Sequence, residues 1–200
     1  IGGIYVGVFT PVVAAGVGAF MVLAVALLRR RLTFAGFQDI LLQTVRTTAM
    51  FYVILIAAHV FSPFIALSQI PEYLAAELVG LDLGFYGTLG LVLVGYVVLG
   101  TFLEGFAMLV LTLPMVLPIM GALGVDPIWF GVLVVITLEM GLISPPVGLN
   151  VFAVKSIVTD VPLSRIFLGV LPFWVAMCVC LAILVLFPQI SLVIPNSMFG

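Results

Sequence analysis

The sequence predicts an all-α polytopic membrane protein. Of the 200 residues, 65% are hydrophobic and only 7% are charged, and the mean hydropathy is +1.48. A water-soluble domain carries roughly 45–50% apolar and 25% charged residues. A chain with this much apolar surface cannot hide it from water, so the bilayer is its solvent. A third observation concerns where the helices break: Pro145 and Pro146 stand side by side inside an apolar run, flanked by Gly141, Ser144, Gly148 and Asn150. Eight acids against six bases give no basic surface for nucleic acid. Cys178 and Cys180 are neither a disulfide framework nor a CxxC pair, and are expected to face lipid or a packed neighbour.

The chain opens on Ile1 with no charged leader region and no cleavage site, so no signal peptide is predicted. A piece of a longer protein is expected, its tail after Pro188 and Pro195 reading as a natural end. The first span runs over 11–31 and closes on Arg29, Arg30 and Arg31, the one basic cluster. The positive-inside rule puts that cluster on the cytoplasmic side. Residues 33–48 mix Gln38, Asp39, Gln43 and Arg46 with apolar residues at helical spacing. They are predicted to form an amphipathic helix at the interface, with Arg46 at the lipid headgroups.

A second apolar run covers 49–67. Its His59 is expected to hydrogen-bond between helices. The stretch that follows carries Glu72, Glu77 and Asp82 behind Pro71 and reads as a short surface helix. Residues 84–120 hold two apolar arms around Glu104-Gly105, each about 15–17 residues and marginal for a crossing. With almost no polar linker between them, a re-entrant helical hairpin fits best. Asp126-Pro127 opens a helix over 127–156 that breaks at Ser144-Pro145-Pro146. The last span covers 165–188. Trp129 reads as an interfacial anchor and Trp174 as a weaker case of the same. Lys155 is expected to snorkel to the interface.

Each proline inside a helix costs about 3 kcal/mol. In hydrocarbon an unpaired backbone group costs several kcal/mol more. Broken backbone at membrane depth therefore needs protein, water or an ion to satisfy it, and paired breaks point to the site of a secondary transporter. Oxygen donors for a sodium ion are the carbonyls from Thr101 to Gly105, including Phe102 and Glu104. Around the second break they are the Thr137 and Ser144 hydroxyls, the Asn150 amide, and carbonyls from Gly141 to Ile143. Glu104 can handle a cation or cap the second arm through its carboxylate. Glu139 reads as a structural partner for a polar group on another helix. Single prolines and glycines often make only kinks, but two adjacent prolines between glycines favour a functional break. No phosphate loop, HExxH or Ser/His/Asp set is present, so neither an enzyme nor an ATP-driven pump is expected. A structural or assembly subunit remains the competing class. An ion channel needs a continuous polar lining, and here polar residues are confined to the breaks.

The stretch "LGTFLEGFAMLVLTLPMVLPIMGALGVDPIWFGVLVVITLEMGLISPPVGLNVFAVK" resembles the C-terminal half of the large membrane subunit of tripartite ATP-independent periplasmic transporters. "GVFTP" and "DVPLSRIFLGVLPF" fit the same pattern in the same order. The resemblance implies a sodium-coupled importer of the bacterial inner membrane. Such importers take organic acids from a periplasmic substrate-binding protein and work with a small membrane subunit. It also implies the second of two inverted repeats, each with a hairpin and a broken helix, the hairpin moving substrate in an elevator-like motion. Carried over, the hairpin tip falls at Phe102 to Phe106 and the broken loop at Ser144 to Gly148. Thr101, Phe102, Glu104, Gly105, Thr137, Gly141, Ser144, Pro145 and Gly148 are thereby assigned to sodium. Ser144, Pro146, Val147 and Asn150 are assigned to a carboxylate substrate. No cofactor besides the coupling ion is implied. Three departures stand out. Thr10-Pro11-Val12-Val13 replaces the family's usual Thr-Pro-Thr-Glu, Glu104 stands where Asp is usual, and Ser144 stands where Thr is usual. The residues suit any small carboxylate: a C4-dicarboxylate, a sialic acid or a keto acid.

Overall fold

The computed structural model of the chain describes residues 2–5, 7–30 and 32–199. Among them the secondary structure is entirely helical, as the composition predicts. The order is α1 (Gly2–Tyr5), α2 (Pro11–Leu28), α3 (Phe34–Leu67), α4 (Ile70–Gly80), α5 (Gly84–Gly100), α6 (Gly105–Ala122), α7 (Pro127–Ile143), α8 (Leu149–Ile157), α9 (Leu163–Leu186) and α10 (Gln189–Phe199). By length and composition α2, α3, α6 and α9 are each able to cross a membrane, whereas α5 and α7 are shorter apolar helices. The chain divides into two compact units, residues 1–54 with 193–200, and residues 55–192.

In the first unit, Pro11 occupies the first turn of α2, and the Thr10 hydroxyl accepts the Val13 N–H at 3.3 Å. The cap satisfies a donor the helix cannot. Within this unit the chain departs from the prediction of a separate amphipathic helix over 33–48. The Thr33 hydroxyl accepts the Gly36 N–H at 3.1 Å, and α3 then runs unbroken past Thr48. The polar residues at the expected boundary do not break it, because their hydroxyls bond within the helix. Thr44 donates to the Ile40 carbonyl at 2.8 Å and Thr47 to the Gln43 carbonyl at 3.0 Å. At 1.5 Å per residue the helix is about 50 Å long, more than the roughly 30 Å of hydrocarbon.

The second unit is built around α7. An α-helix apolar all round belongs in a core, and α7 buries Trp129, Phe130, Leu133, Val134, Leu138 and Met140. It starts sharply: the Asp126 carboxylate accepts the Ile128 and Trp129 N–H groups at 2.8 and 3.0 Å, with Pro127 in the first turn. α5, α6, α8 and α9 all pack against it. α5 and α6, the two arms of the stretch expected to be a hairpin, are tied by a 2.9 Å hydrogen bond between the Tyr96 and Thr112 hydroxyls on opposite sides of the tip.

Several side chains take other roles than expected. Trp129 is not an interfacial anchor: it is 4% exposed, lies parallel to Phe85, and donates its indole N–H to the Leu184 carbonyl at 2.8 Å. His59 bonds not between helices but to the Leu55 carbonyl one turn back, at 2.9 Å. Lys155 turns back on its own chain: its ammonium donates to the carbonyls of Thr159 and Val161, closing the loop after α8. Glu139 is exposed, with no hydrogen bond or ion pair among the described residues.

Candidate functional site

The two interruptions of the apolar core lie against each other. α5 ends at Gly100 and α7 at Ile143. Their last turns touch through glycines: a Cβ built on Gly141 would lie 2.7 Å from the Gly100 backbone, and one on Gly100 would lie 3.2 Å from the Gly141 Cα. Only a residue without a side chain allows two backbones this close. Further around the tip, a Cβ at Gly105 would rest 3.8 Å from the Leu138 side chain, so the start of α6 also leans on α7.

The hairpin tip turns over Thr101, Phe102 and Leu103 before α6 begins. Thr101 is buried, and its hydroxyl donates to the Val98 carbonyl at 2.7 Å. Glu104 caps α6: its carboxylate accepts the Ala107 N–H at 3.0 Å while the residue itself is exposed. Of the two roles open to it, the capping one is present in the structure. Phe102 is exposed as well.

At the second break, Ser144 turns extended, and its N–H reaches the Gly141 carbonyl at 2.9 Å. Pro145 and Pro146, joined by a cis bond, have no N–H to offer the carbonyls four residues back. Among the described residues, no backbone N–H reaches the Leu142 or Ile143 carbonyls. Chain direction is recovered at Gly148, whose φ of 60° is left-handed and which leads into α8. A Cβ there would sit 3.0 Å from the Ser144 carbonyl oxygen and 3.2 Å from the Phe167 ring, so both the conformation and the space require glycine.

The Ser144 hydroxyl is buried and doubly engaged. It donates to the Met140 carbonyl and accepts the Trp174 indole N–H at 2.8 Å. Trp174 is therefore no interfacial anchor. It stands at the midpoint of α9. α7 and α9 are antiparallel, joined at Trp129–Leu184 near one end and Ser144–Trp174 at the other. α9 is long and apolar enough to cross a membrane, and Ser144 lies level with the middle of that helix.

A cavity of about 600 Å³ touches both breaks, with Thr101 on one side, Ile143, Ser144 and Pro145 on another, and Trp174 on a third. Thr101, Ser144 and Pro145, all predicted site residues, thus share one space, and Gly141 forms the contact behind it. Thr137 is not brought there: it is fully buried and its hydroxyl bonds to the Leu133 and Val134 carbonyls of its own helix, at 3.1 and 2.8 Å. Pro146 and Asn150 are exposed and Val147 half-buried, none of them lining this cavity. Gly100 and Trp174 were not among the predicted residues. Gly100 carries the signal of a glycine at the end of an apolar arm. Trp174 carries that of an indole N–H at mid-span, which must find an acceptor.

The electrostatics follow from the helix ends. α5 and α7 bring two carboxyl-terminal ends together, each worth roughly half a negative charge. Among the described residues no cluster of three or more His, Cys, Asp or Glu exists that could hold a metal.

Comparison with known proteins adds the lineage. Residues 1–190 match the family model described as the tripartite ATP-independent periplasmic transporter, DctM component. The chain is 36% identical to the sialic acid TRAP transporter large permease protein SiaM of Vibrio cholerae, a match covering all of this chain and 47% of the relative. It is also 36% identical to the C4-dicarboxylate TRAP transporter large permease protein DctM of Pseudomonas aeruginosa, over 98% of this chain and 46% of that one. An isethionate TRAP transporter permease protein, DctMQ of Oleidesulfovibrio alaskensis, is 33% identical over 96% of this chain and 30% of its own length. The chain thus spans about half the length of the first two relatives. Membership of this kind places it in the bacterial inner membrane. The chain belongs to the DctM family, the large permeases of tripartite ATP-independent periplasmic transporters.

Proposed function

We propose that this chain carries one half of the translocation site of a sodium-coupled importer of small organic anions. The observation that supports it best is the contact between the hairpin tip and the Ser144–Gly148 break, where the carboxyl-terminal ends of α5 and α7 meet at Gly100 and Gly141. Prolines 145 and 146 deny donors to carbonyls of the preceding turn. A hard monovalent cation suits such oxygens, by analogy with other hard cations. On the far side of the break, α8 begins with N–H groups that can face the anion, and Asn150 lies in its first turn.

The relatives bear the names of sialic acid, C4-dicarboxylate and isethionate transporters. Isethionate is a sulfonate, so the class extends from the expected carboxylates to small organic acids in general. The small membrane subunit and the periplasmic substrate-binding protein are the proposed partners. The protein acts as a carrier rather than an enzyme. Its energy comes from ions, since one positive charge falling through 100 mV yields about 2.3 kcal/mol. Hairpin, α7 and break share backbone contacts, which suits an elevator-like motion of the three as one body.

The test is uptake into vesicles by the intact transporter carrying Ser144→Ala together with Gly148→Leu. Sodium-dependent uptake is expected to disappear while membrane insertion is preserved. Unchanged sodium dependence would remove both residues from the site and favour a purely structural role for the breaks.

A further inference from the structure

Of the three hydroxyls that the sequence offers to a cation, two are held by their own helices alone. Thr101 gives its proton to the Val98 carbonyl, and Thr137 to those of Leu133 and Val134. Ser144 gives its proton to Met140 in the same way, but it also receives a donor from a different helix, the Trp174 indole N–H of α9 at 2.8 Å. α9 meets the break at a second point, where the Phe167 ring lies 3.2 Å from the place of a Gly148 Cβ. Phe167 and Trp174 are two turns apart on one face of α9, about 10 Å along its axis. The two aromatic side chains therefore touch the first and the last residue of the Ser144–Gly148 break.

A serine hydroxyl has one proton and two lone pairs, and it turns to suit its partners. At Ser144 the backbone has already left the helix, with ψ at 143°, so the last turn of α7 does not by itself hold the side chain. The Met140 carbonyl fixes where the proton points, and the Trp174 N–H fills one lone pair. The second lone pair is the one a cation can use. The N–H has two opposed effects on that cation. It brings the positive end of a dipole close to the oxygen, which repels the ion. It also sets the direction of the hydroxyl in advance, so that an arriving ion does not have to order it. Orientation prevails, because the ion needs one lone pair and the N–H occupies the other.

We propose that Trp174 is a positioning residue for the coupling ion: its indole N–H, reaching across from α9, sets the direction in which Ser144 offers its free lone pair to sodium. The proposal rests on the sodium reading above, and it gives Trp174 no contact with the ion itself. A packing role would be different, since a buried indole N–H needs an acceptor in any case and the bond would then add stability alone. Partners that hold a metal ligand in direction typically carry about 10- to 100-fold in affinity. Where one hydroxyl shares a monovalent ion with backbone carbonyls, the effect belongs at or below the lower end.

The experiment is a double-mutant cycle of Trp174→Phe and Ser144→Ala on the purified intact transporter, read as radioactive sodium binding and as melting temperature. Trp174→Phe keeps a ring and removes the N–H. It is expected to weaken sodium binding about three- to tenfold. In the Ser144→Ala background the same change is expected to have no further effect on sodium, because Trp174 acts through that hydroxyl. A second replacement of Trp174, by 3-benzothienylalanine, keeps the fused ring and puts sulfur in place of the N–H. It is expected to match Trp174→Phe, and it carries the test if the phenylalanine variant does not fold. Sodium binding left unchanged or tightened by loss of the N–H, with only the melting temperature lowered, would overturn the proposal in favour of packing. Equal weakening in both backgrounds would overturn it too, since Trp174 would then act without Ser144. In either case a weakening by Ser144→Ala alone keeps the sodium reading intact. Sodium binding that Ser144→Ala does not change would instead overturn that reading, and this proposal with it.

Discussion

Ser144 Oγ is the side-chain atom on which the site turns. With its proton given to Met140 and the Trp174 N–H received, it keeps one lone pair. The Met140 bond satisfies one of the carbonyls that the break leaves without helical donors. A few residues earlier, the Gly141–Gly100 contact sets how closely the two helix ends approach. Gly141→Ala forces a methyl into a 2.7 Å gap against backbone, and backbone cannot rotate away as a side chain can. The expected cost is about 1–3 kcal/mol, the usual range for overpacking, read as a lower melting temperature of the purified protein. Gly131→Ala, also on α7 but with nothing within 4 Å, is expected to stabilise by up to about 1 kcal/mol through helix propensity. Equal melting temperatures for the two variants would contradict the close crossing.

Among the elements, α3 departs furthest from its sequence reading, and the cause is physical. The contrast between polar 33–48 and apolar 49–67 reports a change of surroundings, not a change of backbone. Hydroxyls that bond to carbonyls one turn back leave the helix intact through that change. Spin labels at positions 38 and 53 are expected to sit about 22 Å apart along a continuous helix; a markedly shorter distance would restore the bend. The hairpin arms and the break at Ser144 were legible because proline and glycine act locally on the backbone. The tryptophans were misread for the opposite reason. An indole N–H needs a partner both at an interface and beside a carbonyl in the core, and composition alone does not separate the two. Trp129 and Trp174 both found acceptors on or across α9. Thr137 stands apart from Thr101 and Ser144 because it is fully buried and does not line the cavity they share, which its place in the sequence does not reveal. Convergence of Gly100 on Gly141 depends on how helices distant in sequence pack, which no local pattern encodes.

At the scale of the molecule, α9 acts as the ruler. It is long and apolar enough to cross a membrane, Trp174 marks its middle, and the bond to Ser144 sets the second break level with that middle. There two carboxyl-terminal helix ends meet, each worth roughly half a negative charge, beside the Leu142 and Ile143 carbonyls that no described backbone N–H reaches; this is the charge we propose draws sodium. Direct binding of radioactive sodium to the purified intact transporter tests this most simply. Wild type and Thr137→Val are expected to bind alike. Ser144→Ala is expected to weaken binding by about tenfold or more, in line with about 1.5–3 kcal/mol for a contact to a charged partner. Sodium binding that is unaffected by Ser144→Ala, or absent from the wild type, would contradict the account.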